Sequence, residues 1–180
     1  MNYIYHRVPG TLQDDTLYPL NTLKNIYPDI YANEISKYAG REYVNEQRIP
    51  LFNNALWNDV LFFTAVEPSE IYKARRDAGW PDLKPQKYFK INPNDLDQSK
   101  LGIFLFQTTA NPKHYTHDNF SYYSYEALTK ITEVPSSTKE YFKNEFEAGE
   151  PHIKLFFRYI PHVLYYGEIN ISDAEIITVT

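Results

Sequence analysis

The chain contains no cysteine, which excludes disulfides, thiolate metal sites and a cysteine nucleophile together. It has no apolar run approaching the ~20 residues that a membrane span requires. Met1-Asn2-Tyr3-Ile4 is not the charged and then apolar start of a secretory leader. A cytoplasmic protein that makes no membrane contact is the expectation. No long block of Lys or Arg occurs and the net charge is −5, so broad capture of duplex nucleic acid is not expected. Also missing are Gly-x-Gly-x-x-Gly, a P-loop, Gly-x-Ser-x-Gly and His-Glu-x-x-His, which removes the usual nucleotide-fold, kinase, hydrolase and zincin readings. There is no internal repeat, heptad pattern or low-complexity tract.

What the chain has in excess is aromatic surface. Among 180 residues, 17 are Tyr and 11 Phe, against 2 Trp. Tyrosine carries a large apolar face and a hydroxyl that needs a partner, so a chain rich in it builds cores, pockets and interfaces with wet edges. Apolar content of 43% with 23% charged residues is that of a folded protein long enough to bury a sizeable core, and a single globular domain over 1–180 is expected.

Local patterning places the elements. Tyr3-Ile4-Tyr5 begins a strand that His6-Arg7 end and Val8-Pro9-Gly10 stop. Between Leu17 and Glu46, apolar residues at spacings of three and four predict two or three short helices, restarted by Pro28 and closed at Gly40. Arg48-Ile49-Pro50-Leu51 is extended and Asn53-Asn54 a turn. A buried strand over 57–64 precedes a helix over 68–79. Strands are predicted over 87–91 and 101–107, a helical turn or loop over 94–97, and helices over 124–132 and 136–148. Three closing strands are predicted over 153–157, 162–166 and 175–179. Helices in two clusters with strands near both ends predict an α+β domain. It has a central, mostly antiparallel sheet and helices from the N-terminal and C-terminal halves.

Several groups carry candidate chemistry. His6 and Arg7 alternate across their strand, so they face opposite sides. A neutral His6 donates to a ribose hydroxyl or acts as acid or base near neutrality, whereas Arg7 suits a phosphate or carboxylate. The polar, aromatic stretch 108–123 reads as a long loop and is a candidate recognition surface for a protein or nucleotide partner. Within it, His114, His117 and Asp118 are the only cluster of metal-ligand types, without a fourth ligand nearby. No metal is expected, and a metal-dependent hydrolase is the third-ranked function. Trp57-Asn58-Asp59 reads as an Asx-turn with a packed indole, and Lys73, Arg75 and Arg76 as a solvated helix face. Towards the C-terminus stand Arg158, His162 and Glu168, the last after Gly167, which permits a bulge or turn that re-aims the carboxylate.

The order of a strand ending in Tyr5-His6-Arg7, a Phe62-Phe63-Thr64 strand leading into the 68–79 helix, and a late strand pair bearing Glu168 resembles the ADP-ribosyltransferase-like fold. The resemblance spans most of the chain on short motifs. It implies an NAD or related nucleotide ligand, with His6 on the ribose or phosphate and Arg7 in electrostatic support. Phe63 or Thr64 would lie near the nicotinamide, and Glu168 would stabilise an oxocarbenium-like transition state, making His6 and Glu168 the catalytic pair. No Ser-Thr-Ser stands on the second strand, and relatives of that fold include RNA 2′-phosphotransferases and inactive proteins. The other class of function is a non-catalytic binding or interaction protein that uses loop 108–123.

Overall fold

A computed structural model describes residues 2–107, 115–153 and 155–180. The strands are β1 Ile4–Arg7, β2 Thr16–Leu17, β3 Arg48–Ile49, β4 Ala55–Leu56, β5 Val60–Thr64, β6 Gln86–Ile91, β7 Leu101–Phe104, β8 Phe120–Tyr122, β9 His162–Tyr166, β10 Ile169–Asn170 and β11 Glu175–Val179. The helices are α1 Leu20–Ile26, α2 Pro28–Ser36, α3 Tyr43–Glu46, α4 Pro68–Asp77, α5 Tyr125–Thr129 and α6 Ser136–Glu147. Seven strands form one sheet in the order β11-β6-β1-β5-β9-β7-β8, and every pairing in it is antiparallel. The domain is α+β, as the clustering of predicted helices and strands implies.

Alternation along the strands divides the core into two layers. Ile4, Leu61, Phe63, Phe89, Ile103, Val163 and Tyr165 share one face and pack against Leu17 of β2, Leu128 of α5, Ile131 just after it and Ile169 of β10. Tyr5, Tyr88 and Val179 face the other way, against Tyr72 of α4. Further along that second face, Val60, Phe104, Phe120 and Leu164 meet Ile49 of the β3–β4 hairpin. Among the described residues, no helix is long and apolar enough to cross a membrane.

One seam in this sheet is different from the rest. β1 pairs with β6 at four positions, and β5 pairs with β9 at five. Between β1 and β5 the ladder holds a single pair, Tyr5 with Thr64. The sheet is thus a three-stranded and a four-stranded half joined at one register, and the chain ends beyond that register are free to diverge.

Some local expectations need correction. The segment 153–157 has no strand among its described residues; Phe156, Phe157 and the two residues after them form a turn. Its apolar run is explained by Phe156, whose ring packs on Tyr72 and Phe142 across α4 and α6. Strand 101–107 stops at Phe104, and 57–64 begins with a 3-10 turn at Trp57–Asp59. Loop 108–123 ends in a further 3-10 turn and in β8, whose Phe120 pairs with Phe104; its residues 108–114, His114 among them, lie outside the described residues. Arg75 is buried rather than solvated: its guanidinium donates to the Pro81 carbonyl and lies 5.6 Å from the Trp80 ring centroid.

Candidate functional site

A cleft of about 1110 Å³ opens where the β1–β5 seam ends. Its walls are His6 to Thr11 on the β1 side, Val60, Leu61 and Phe62 on the β5 side, and residues of α1 to α3 and the segment after them. The helical wall is tied to the sheet by Asn21, whose side-chain amide donates to Asp59 at 2.7 Å. The same carboxylate accepts from the Leu56 amide at 2.8 Å, so it fixes the turn that carries Trp57. Asn58 completes the tie, donating to the Asn45 side chain beyond α3's Tyr43 at 2.9 Å.

His6 lines this cleft and is held in one tautomer. Its Nδ1 lies 2.7 Å from the Arg7 carbonyl oxygen, which can only accept, so Nδ1 carries the proton and Nε2 a lone pair. Burial lowers the pKa of His6 from 6.5 to about 4, against the upward pull of that backbone bond. At neutral pH His6 is an uncharged imidazole, suited to a hydroxyl and not to the electrostatic capture of a phosphate. Its ring sits 5.3 Å from that of Phe63 across the seam.

Phe63 and Thr64 occupy the seam without lining the cleft. Phe63 is 1% exposed in the core. The Thr64 hydroxyl closes a local turn, accepting from the Val66 amide at 3.0 Å. Of β5, Val60, Leu61 and Phe62 line the cleft instead, and of these only Phe62 is more than marginally exposed. Arg7 lines the cleft and is exposed, with no carboxylate partner among the described residues.

Aromatic rings continue the wall from Phe62. The Trp57 centroid is 4.7 Å from Phe62 and 5.5 Å from Tyr115, with 28° between the Trp57 and Tyr115 planes. Tyr115 is followed by Phe106 at 6.5 Å, and Phe106 by the guanidinium carbon of Arg158 at 5.3 Å. All five side chains line the cleft. Its charged lining is Arg7, Lys37, Arg41 and Arg158 against Glu34 alone, and Glu34 is paired with Lys37 at 2.6 Å. An acidic protein therefore presents a locally cationic, aromatic cleft.

Glu168 is exposed and outside the cleft lining. The β2–β10 ladder pairs Ile169 with Leu17, which sets Glu168 opposite Tyr18, and Tyr18 does line the cleft. The Tyr18 phenol bonds to Thr16, which lowers its pKa, yet it is raised on balance by burial, by Asp14 and by the charge of Glu168. His6 and Glu168 are thus not brought together; Glu168 stands at the rim beyond Tyr18. His117 and Asp118 are exposed on the turn before β8, and among the described residues no three His, Asp or Glu side chains are grouped to hold a metal.

The sequence offered a signal for part of this site. Trp57-Asn58-Asp59 was legible as a turn with a packed indole, and Tyr115 as part of an aromatic loop. Nothing in the order of residues placed these two rings together or set them beside Phe106 and Arg158, because the contact joins segments fifty to a hundred positions apart. No protein-family model matches the chain, and no curated protein or solved structure is similar to it.

Proposed function

We propose that the protein binds a nucleotide, NAD or a close relative, in the cleft at the β1–β5 seam. The observation that carries this is the row Phe62, Trp57 and Tyr115 in the same cleft as a neutral His6. Flat aromatic faces accept a base by stacking, each such contact contributing about 1–3 kcal/mol. The Nε2 lone pair of His6 accepts from a ribose hydroxyl. The surrounding cations compensate phosphate charge, and the volume is slightly larger than that of usual small-molecule sites.

Binding is the function supported best. ADP-ribosyl transfer, the reaction implied by the resemblance, would enlist Glu168 for the positive charge that develops at the ribose. From its place beyond Tyr18 that carboxylate serves only a ligand that extends to the rim.

Calorimetric titration with NAD, paired with thermal unfolding, tests the proposal. Saturable heat is expected, and NAD at a hundred times its dissociation constant should stabilise the fold by about 2.7 kcal/mol. Neither heat nor a melting shift at millimolar NAD would overturn it. If NAD binds, Glu168→Gln should retain binding and abolish any NAD cleavage; cleavage that persists in this variant removes Glu168 from the chemistry.

A further inference from the structure

We infer that Arg158 is the phosphate-binding residue of the cleft, so that the ligand class is a nucleoside phosphate and not a free nucleoside. This rests on the nucleotide reading proposed above and extends it to a position for which the sequence suggested no role.

Arg158 is a built site. Its guanidinium carbon lies 4.7 Å from the Tyr159 ring centroid and 5.3 Å from that of Phe106, and Nη2 donates to the Tyr159 hydroxyl at 3.3 Å. Two rings therefore restrict a side chain that is otherwise rich in rotamers, which lowers the ordering cost when it grips a ligand. Its backbone is fixed as well, since the hydroxyl of the fully buried Thr138 donates to the Arg158 carbonyl at 2.9 Å. The next residue, Tyr159, is held at φ 64°, a conformation that residues with a Cβ adopt only under external constraint.

What this constrained cation does not have is an anion. Among the described residues no carboxylate lies within ion-pair distance of it, whereas Lys37, Lys73, Lys90, Lys130 and Lys143 are all paired. A half-buried guanidinium has lost part of its hydration, and among the described residues only one of its five donors meets a protein acceptor. Its planar fork matches phosphate oxygens two at a time. Position supplies the rest: Arg158 ends the aromatic row, so a base stacked on Trp57 or Tyr115 directs its phosphate towards one of the cleft's cations. Arg7 and Arg41, in the same lining, also lack a carboxylate partner among the described residues.

The test compares adenosine with ADP by calorimetry on the wild type, Arg158→Gln and Arg158→Lys. For the wild type, ADP should bind about tenfold or more tightly than adenosine, the size of one charge-assisted phosphate contact. Arg158→Gln should bring ADP to the adenosine level while leaving adenosine affinity unchanged, and Arg158→Lys should restore only part of the difference. Melting curves without ligand establish that each variant is folded, and Arg158→Lys carries the comparison if Arg158→Gln is not. A full ADP preference in the folded variants, or equal binding of adenosine and ADP by the wild type, overturns the inference and leaves the nucleotide cleft standing. If neither ligand binds the wild type, the cleft reading fails and this inference with it.

Discussion

Tyr5 and Thr64 are the only residues at which β1 and β5 are in register, and the cleft begins where that pairing stops. Both side chains are buried, at 7% and 3% exposure, so the join is set in the core while the strand ends on either side of it are left to line an open space.

Adjacent phenylalanines on β5 should therefore separate stability from binding. Phe63→Ala removes a ring that is fully enclosed in the core and should cost about 3–5 kcal/mol in urea unfolding. Phe62→Ala touches the half-exposed cleft wall and should cost clearly less, while weakening NAD binding by about tenfold, as expected for a lost stacking or wall contact. Equal losses of stability, or undiminished NAD affinity in Phe62→Ala, would contradict the division of roles along the strand.

Acid should destabilise the fold through two histidines. His6 and His162 are both lowered by burial from 6.5 to about 4, each opposed by one backbone hydrogen bond. His162 is surrounded by the rings of Phe62, Phe104 and Phe157. Above pH 6.5 both are neutral folded or unfolded, and stability does not depend on them. Between 6.5 and 4 the unfolded chain takes up protons that the folded one refuses, so stability falls with pH, by on the order of 1 kcal/mol per pH unit for each. Urea unfolding at pH 7.5, 5.5 and 4.5 should show a slope that is shallower by about one proton in His162→Gln. An unchanged slope would mean that His162 titrates normally in the folded state. Carboxylates act in the same direction, and the difference between variant and wild type removes them.

At Gly102 on β7 an added side chain would crowd the β3–β4 hairpin. A Cβ built there would lie 2.7 Å from Leu51 Cδ1 and 3.0 Å from Phe52 Cζ, both in the hairpin loop that leads to Trp57. Gly102→Ala should destabilise by about 1–3 kcal/mol through overpacking, and it should weaken NAD binding because the displaced hairpin carries the Trp57 turn with it. Wild-type stability in this variant would show that the hairpin gives way freely.

The frame of this fold was readable because its signals are local. Pro68 and Gly79 bracket a real helix, Asn53 and Asn54 both take the positive φ of a turn, and Tyr3-Ile4-Tyr5 marks the first strand. The site was less readable, and His6 shows why. Its place on an early strand was visible, but its neutrality depends on burial and on the Arg7 carbonyl, neither of which the sequence displays. Phe63 and Thr64 were expected at a ligand through the resemblance alone; core packing takes up the first and the local turn at Val66 the second. β2 and β10 have two residues each, too short for a periodic pattern, and only their pairing reveals that Glu168 faces Tyr18. Arg158 and Phe106 meet across the sheet, a relationship that no local spacing encodes.

The chain's two tryptophans provide the most direct measurement of the central claim. Trp57 is half-buried in the cleft, whereas Trp80 is 6% exposed and donates from its indole nitrogen to the Phe142 carbonyl at 2.8 Å. Titrating NAD into the protein while exciting tryptophan should give saturable quenching in the wild type and none in Trp57→Phe, with Trp80 left as a silent reporter. Saturable quenching that is the same in Trp57→Phe would place the nucleotide elsewhere, and no quenching in the wild type at millimolar NAD would contradict the nucleotide cleft itself.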